Sequence, residues 1–200
     1  TPILAYKMLQ GLKNIHIRGI IHRDIHPGNV LMNPGSKALQ VGIVDFDVAE
    51  FFLPATAYTT KRITRPGYTA PELLLNHETY HFAIDVWGAG LTLAQHVFPD
   101  VQQFRYDPKK HASEIDFVAQ LVGSEALALT MQRFEMLNVG DDVVAALQAN
   151  YPKFDLKTLT DTNKLASPEL IQVLEKALSP DMHDRATAEE LSKLPYFAKK

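Results

Sequence analysis

Three oxygen-bearing side chains define the chemistry this chain could perform. Asp24 and Asn29 stand five residues apart in the polar run His22-Arg23-Asp24-Ile25-His26-Pro27-Gly28-Asn29, and Asp45 opens Asp45-Phe46-Asp47 further along. A carboxylate and an amide at that spacing suit phosphoryl transfer. Asp24 can accept or orient a hydroxyl proton. The Asn29 side-chain oxygen is a hard ligand for Mg²⁺, and Asp45 would bridge Mg²⁺ to phosphates.

Those groups need a frame. Leu4, Met8, Leu12 and Ile15 recur at helical spacing, so residues 2–17 are expected to form an amphipathic helix, with Thr1 as N-cap and Pro2 at the first helical position. Gly19 ends it, and Ile20-Ile21 steps into the polar loop. Residues 30–32 and 39–44 read as short strands joined by the turn Asn33-Pro34-Gly35-Ser36. That hairpin folds Asn29 and Asp45 toward one another. The polar, threonine-rich stretch 54–69 is expected to be a functional loop. From Ala70 on the pattern is helical: 71–75, then 82–97 (apolar almost all round, hence buried), 114–122, 125–137, 141–149, 168–178 and 187–194. Thr187 and Glu190 form a capping box at the start of the last. The expected fold is mainly α with a small β-hairpin.

Composition narrows the function classes. With 200 residues the chain makes one large domain or two small ones, and 46% apolar against 22% charged residues is ordinary for a soluble globular protein. A net charge of −3 leaves no nucleic-acid footprint. The absence of cysteine excludes disulfides, cysteine zinc sites and thiol nucleophiles and fits an intracellular setting, cytoplasmic or nuclear. No secretory signal opens the chain, and no apolar run approaches the ~18 residues of a membrane span, so neither a membrane nor a nucleic acid is expected as partner.

His-Arg-Asp-x-x-x-x-Asn followed by an Asp-Phe motif resembles the catalytic core of protein kinases. Later motifs agree in order and spacing: Ala70-Pro71-Glu72, Asp85-Val86-Trp87-Gly88-x-Gly90, and Arg185 within 180–190. The resemblance covers the whole chain, 1–200, but only the C-terminal lobe of the family. It implies a catalytic loop at 22–29, an activation segment at 45–72 and a helical subdomain at 73–200. It also implies ATP and Mg²⁺ as cofactors and a protein Ser/Thr hydroxyl as acceptor. Asp24 would orient the hydroxyl, Asn29 and Asp45 would hold the metal, and His26 would contact phosphate. His22 and Phe46 would pack together, Asp85 would tie down the catalytic loop, and Glu72 would pair with Arg185. Within the family the chain is most similar to the casein kinase II catalytic subunits, through Val48-Ala49-Glu50-Phe51-Phe52-Leu53-Pro54 and Leu121-Val122-Gly123-Ser124-Glu125. That likeness places Lys61 and Arg65 where acidic substrates bind and Thr64 against Asp24.

Several departures stand beside the resemblance. His26 replaces the usual lysine, Asp47 replaces the usual glycine, and Pro66-Gly67 adds one residue before Tyr68. No Gly-x-Gly-x-x-Gly and no Val-Ala-Ile-Lys strand occurs, so the resemblance puts the nucleotide's roof in an N-terminal lobe upstream of Thr1. The runs 26–29 and 45–47 also resemble the aminoglycoside and choline phosphotransferases, which act on small alcohols. A lone lobe with these substitutions would alternatively serve as a non-catalytic scaffold. Two metal readings remain: His77-Glu78-Thr79-Tyr80-His81 spells a zinc-protease motif, and His16, His22, Asp24 and His26 could form a cluster. In the kinase reading His22 is a core histidine behind Phe46, His16 lies at the surface or at a helix end, and the phenylalanines belong to the core.

Overall fold

The computed structural model describes residues 2–33, 39–60, 63–136 and 139–198. Lys61, Arg62 and the centre of the 33–39 turn lie outside the described residues. Helix α1 spans Pro2–His16 and buries Leu4, Ala5, Met8, Leu9 and Leu12 along one stripe. Gly19, at φ 73°, turns the chain out of it. Strand β1 (Ile20–Ile21) leads into the 22–29 loop, whose last turn is a 3₁₀ turn at Pro27–Asn29. Strands β2 (Val30–Asn33) and β3 (Gln40–Ile43) pair antiparallel, Val30 opposite Ile43 and Asn33 opposite Gln40. Strand β4 (Glu50–Phe51) returns to pair antiparallel with β1, Ile20 opposite Phe51. Sequence reading had no signal for this second ribbon, since two-residue strands carry no periodicity.

The remainder is helical. Helix α2 (Pro71–Leu74) is followed by α3 (Ala83–Val97), in which every residue but His96 is buried. Around it stand α4 (Glu114–Val122), α5 (Ser124–Arg133), α6 (Asp141–Gln148), α7 (Thr158–Thr162), α8 (Pro168–Ala177) and α9 (Ala188–Ser192). Ser113, Ser167 and Thr187 cap α4, α8 and α9 with side-chain oxygens, and Glu190 completes the capping box. The expected helix over 125–137 is cut short: α5 stops at Arg133, and Glu135 takes a left-handed φ of 54°. Phe134 leaves the helix to pack on His77, while Arg133 is held by Asp181 and Asp184, both at 2.7 Å. No helix among the described residues is long and apolar enough to cross a membrane.

Helix α3 is the axis of the core, touching α1 on one side and α8 on another. Its position is fixed by what it must approach. A Cβ on Gly88 would run into the carbonyl oxygen of Ile25 in the 22–29 loop. Only glycine lets the helix lie flat against that backbone. Phe46 and Phe51 do not join the core: they are 44% and 65% exposed. Phe51 lies on the outer side of the β1–β4 ribbon, whose Ile21 is buried, and Phe46 lies in the turn before it.

Candidate active site

Asp85, on the first turn of α3, organises the loop. Its Oδ1 accepts the backbone N–H of Arg23 at 2.7 Å and its Oδ2 that of His22 at 2.8 Å. His16, from the end of α1, brings Nε2 to 3.0 Å from the same Oδ2. His16 is therefore at a helix end, as expected, but its ring is turned inward onto Asp85. These bonds hold Arg23 at φ 72°, a conformation an L-residue rarely keeps without such support. The Arg23 side chain then reaches across to the 45–72 segment. Nε donates to the carbonyl of Val48, Nη1 to the Tyr80 hydroxyl at 3.3 Å, and Nη2 lies 3.9 Å from Glu50. Tyr80 in turn donates to the Thr59 carbonyl at 2.8 Å, and burial pushes its phenol up from the usual range. Tyr80 thus anchors the segment.

His22 is fully buried, with its ring 4.7 Å from that of Phe46 at an edge-on angle. It places Nε2 3.0 Å from the Val44 carbonyl and accepts the Asp24 N–H on Nδ1 at 3.3 Å. Val44 donates its N–H to the Asn29 carbonyl at 3.0 Å. The two halves of the site, 22–29 and 44–46, are therefore stitched together by backbone and one imidazole.

Asn29 is buried, and its amide nitrogen donates to the Asp24 backbone carbonyl at 3.0 Å and to Asp24 Oδ2 at 3.3 Å. Both neighbours are acceptors, so the NH₂ must face them and the side-chain carbonyl is left over for a ligand. Asp45 sits just past the end of β3 at φ 66°, with an exposed carboxylate. Asp24 Oδ1 accepts the backbone N–H of Arg65 at 2.9 Å. Here the structure corrects the expectation for Thr64, whose hydroxyl pairs with that of Thr69 at 2.8 Å. The extra residue is the cause. Tyr68 N–H closes a turn on the Arg65 carbonyl at 3.0 Å, with Pro66 second and Gly67 third at φ 85°. Proline then glycine is the type II turn signature. A Cβ on Gly67 would stand 2.7 Å from the Tyr106 Cβ. The turn offers Arg65's amide to Asp24 in Thr64's place.

His26 does not face outward. It is buried, its Nδ1 accepts the Gly28 N–H at 3.0 Å, and its Nε2 lies 3.4 Å from Asp24 Oδ2. Burial holds its pKa below the usual imidazole value of 6.5, with Arg65 adding to the effect and Asp24 opposing it. The ring is thus held as a donor toward Asp24, not as a cation toward a phosphate.

Glu72 and Arg185 form a bidentate pair at 2.7 and 2.9 Å with both side chains fully buried. Arg185 also lies 5.2 Å over the Trp87 ring. Glu114 was not anticipated: its Oε2 accepts from Gly67 N–H at 2.9 Å and Thr69 Oγ1 at 2.8 Å, clasping the turn beside Asp24. Nothing in the sequence marks it, since a glutamate opening a helix is ordinary. Lys61 lies outside the described residues.

The metal readings separate from these positions. His77 and His81 lie in the irregular connector between α2 and α3, not on a helix, and their rings face Phe134 and His183. His16 goes to Asp85 and His22 to Val44, so the second cluster does not converge. Among the described residues no three His, Asp or Glu side chains surround a common point. The family model for the protein kinase domain matches residues 3–197, and the chain belongs to that family.

Proposed function

We propose that this chain carries the catalytic loop and substrate-facing half of an ATP-dependent Ser/Thr protein kinase. The observation that supports this most is the orientation of Asn29: its NH₂ is spent on Asp24, which leaves its carbonyl oxygen for Mg²⁺, and its backbone carbonyl is tied to Val44, the residue before Asp45. Bound there with ATP, Mg²⁺ would supply charge neutralisation at the phosphates. The chain's own residues do the positioning. Asp24, held by the Arg65 amide and the Asn29 NH₂, keeps a fixed carboxylate to accept the proton of an acceptor hydroxyl. His26 steadies that carboxylate from behind. Arg65, with Lys61, would favour acidic residues near the acceptor.

A protein acceptor is favoured over an amino alcohol. Ala70-Pro71-Glu72, Asp85-Val86-Trp87 and Arg185 fit the protein-kinase likeness, and the small-alcohol phosphotransferase likeness leaves them unexplained. Exposed Leu31, Phe46, Phe51 and Leu53 would lie against a second lobe that roofs the nucleotide. The inward turn of His26 favours a second reading, a non-catalytic binding module, because no lysine takes its place at the phosphate. Nucleotide binding separates the two. Mn²⁺ with ATP should broaden the NMR signals of the Asn29 side-chain amide and Asp45. Absence of broadening at saturating nucleotide would leave the scaffold reading.

A further inference from the structure

The connector between α2 and α3 carries two histidines that the candidate site does not use. Their rings close a chain over the buried Glu72–Arg185 pair. His77 lies 4.6 Å from Phe134, Phe134 lies 5.8 Å edge-on to His183, and His183 lies 6.0 Å from His81. The His77 N–H also bonds the Glu72 carbonyl at 2.8 Å, so the connector is continuous with α2. His77 Nδ1 is buried with no partner, and His81 Nδ1 accepts the Ala83 N–H at 3.2 Å. Both arrangements need a neutral ring. A proton on His77 would find an acceptor only in the residue's own backbone, and one on His81 Nδ1 would oppose the Ala83 N–H.

The buried carboxylates around them are already engaged. Glu72 of α2 is matched by Arg185. Asp181 and Asp184 of the 178–187 loop share the one guanidinium of Arg133 at the end of α5, and Asp181 also accepts the His183 backbone N–H at 2.8 Å. Asp85 of α3 is taken by His16 of α1 and two backbone amides. Glu78 on the connector and Glu135 after α5 are exposed to water. His183 and Arg185 both face His81, and His183 faces His77. We propose that His77 and His81 form an acid-sensitive latch, which pins α2 and the end of the 45–72 segment onto the helical body when neutral and releases them when protonated. Burial and the neighbouring His183 hold both rings below the ordinary imidazole value of 6.5, against the pull of Glu72. Folded-state values below the unfolded one mean that docking is complete above pH 6.5 and weakens as pH falls below it.

The test is hydrogen exchange on the whole chain, read at the amides of residues 73–77 and corrected for intrinsic rates. Alongside it run the far-UV signal and the fluorescence of Trp87, the only tryptophan. His77→Phe keeps the ring on Phe134, and His81→Asn keeps an acceptor for Ala83. Between about pH 7.5 and 5.5 the wild type should lose protection at 73–77 by at least about tenfold while the far-UV signal holds. The double variant should lose less than about twofold. Unchanged protection in the wild type, equal loss in the variant, or loss of all helices together would overturn the latch. Should the double variant not fold, wild-type NMR titration of the two imidazoles decides. Protonation that coincides with the opening supports the latch, and protonation with no opening overturns it.

Discussion

Asp85 and Arg23, 62 residues apart in the chain, are joined by a 2.7 Å bond from the Arg23 backbone N–H to the Asp85 carboxylate. That bond, with its twin to His22, is how a buried helix sets the conformation of the loop that carries Asp24 and Asn29. Replacing Asp85 by Asn turns one acceptor oxygen into a donor facing an N–H. Losing a charged hydrogen bond and stranding a buried donor should cost about 2–4 kcal/mol. Urea unfolding should show that loss, with faster exchange at the His22 and Arg23 amides.

The Glu72–Arg185 pair makes a different prediction. Both side chains are fully buried, so removing either leaves the other charge in a low-dielectric site. Glu72→Met or Arg185→Met alone should destabilise by about 3–5 kcal/mol. The double replacement should recover much of that, because no charge is then left unpaired. Chemical denaturation of the four proteins checks the cycle.

Gly88 reports on the same loop from the packing side. Adding a methyl there presses on the Ile25 carbonyl. Gly88→Ala should cost about 1–3 kcal/mol by overpacking and shift the NMR signals of 24–29 more than those of α8.

Much of the frame was legible in the sequence because its signals are strong. The all-apolar run of α3 and the capping box of α9 each have a local physical cause. The pairing of Glu72 with Arg185 followed from family likeness, since nothing local links residues 113 positions apart. What stayed hidden depends on tertiary geometry. The β1–β4 ribbon is too short for periodicity, and Glu114's clasp needs the turn at 65–68 to be in place. The same turn explains why Arg65's amide, not the Thr64 hydroxyl, reaches Asp24. The end of α5 at Arg133 is set by partners across the fold, Asp181 and Asp184, which no window around 133 contains.

His26 gives a pH prediction. Its folded-state value lies below 6.5, so the stability gained from keeping it neutral is present in full above pH 6.5 and is lost as pH falls below it. An NMR titration should find it neutral at pH 7 and protonating below the free-imidazole range. His26→Gln should flatten this site's part of the acid-side stability slope.

The central claim is tested most directly by phosphate transfer from Mg-ATP to a serine in an acidic peptide, measured by mass spectrometry on the protein isolated from its source and on its Asp45→Ala and Asp24→Ala variants. The account predicts serine phosphorylation that falls by at least about 10³-fold in each variant, the scale on which loss of a positioned charge acts. Transfer that persists in Asp45→Ala, or a wild-type protein that moves no phosphate to any acceptor, would contradict it.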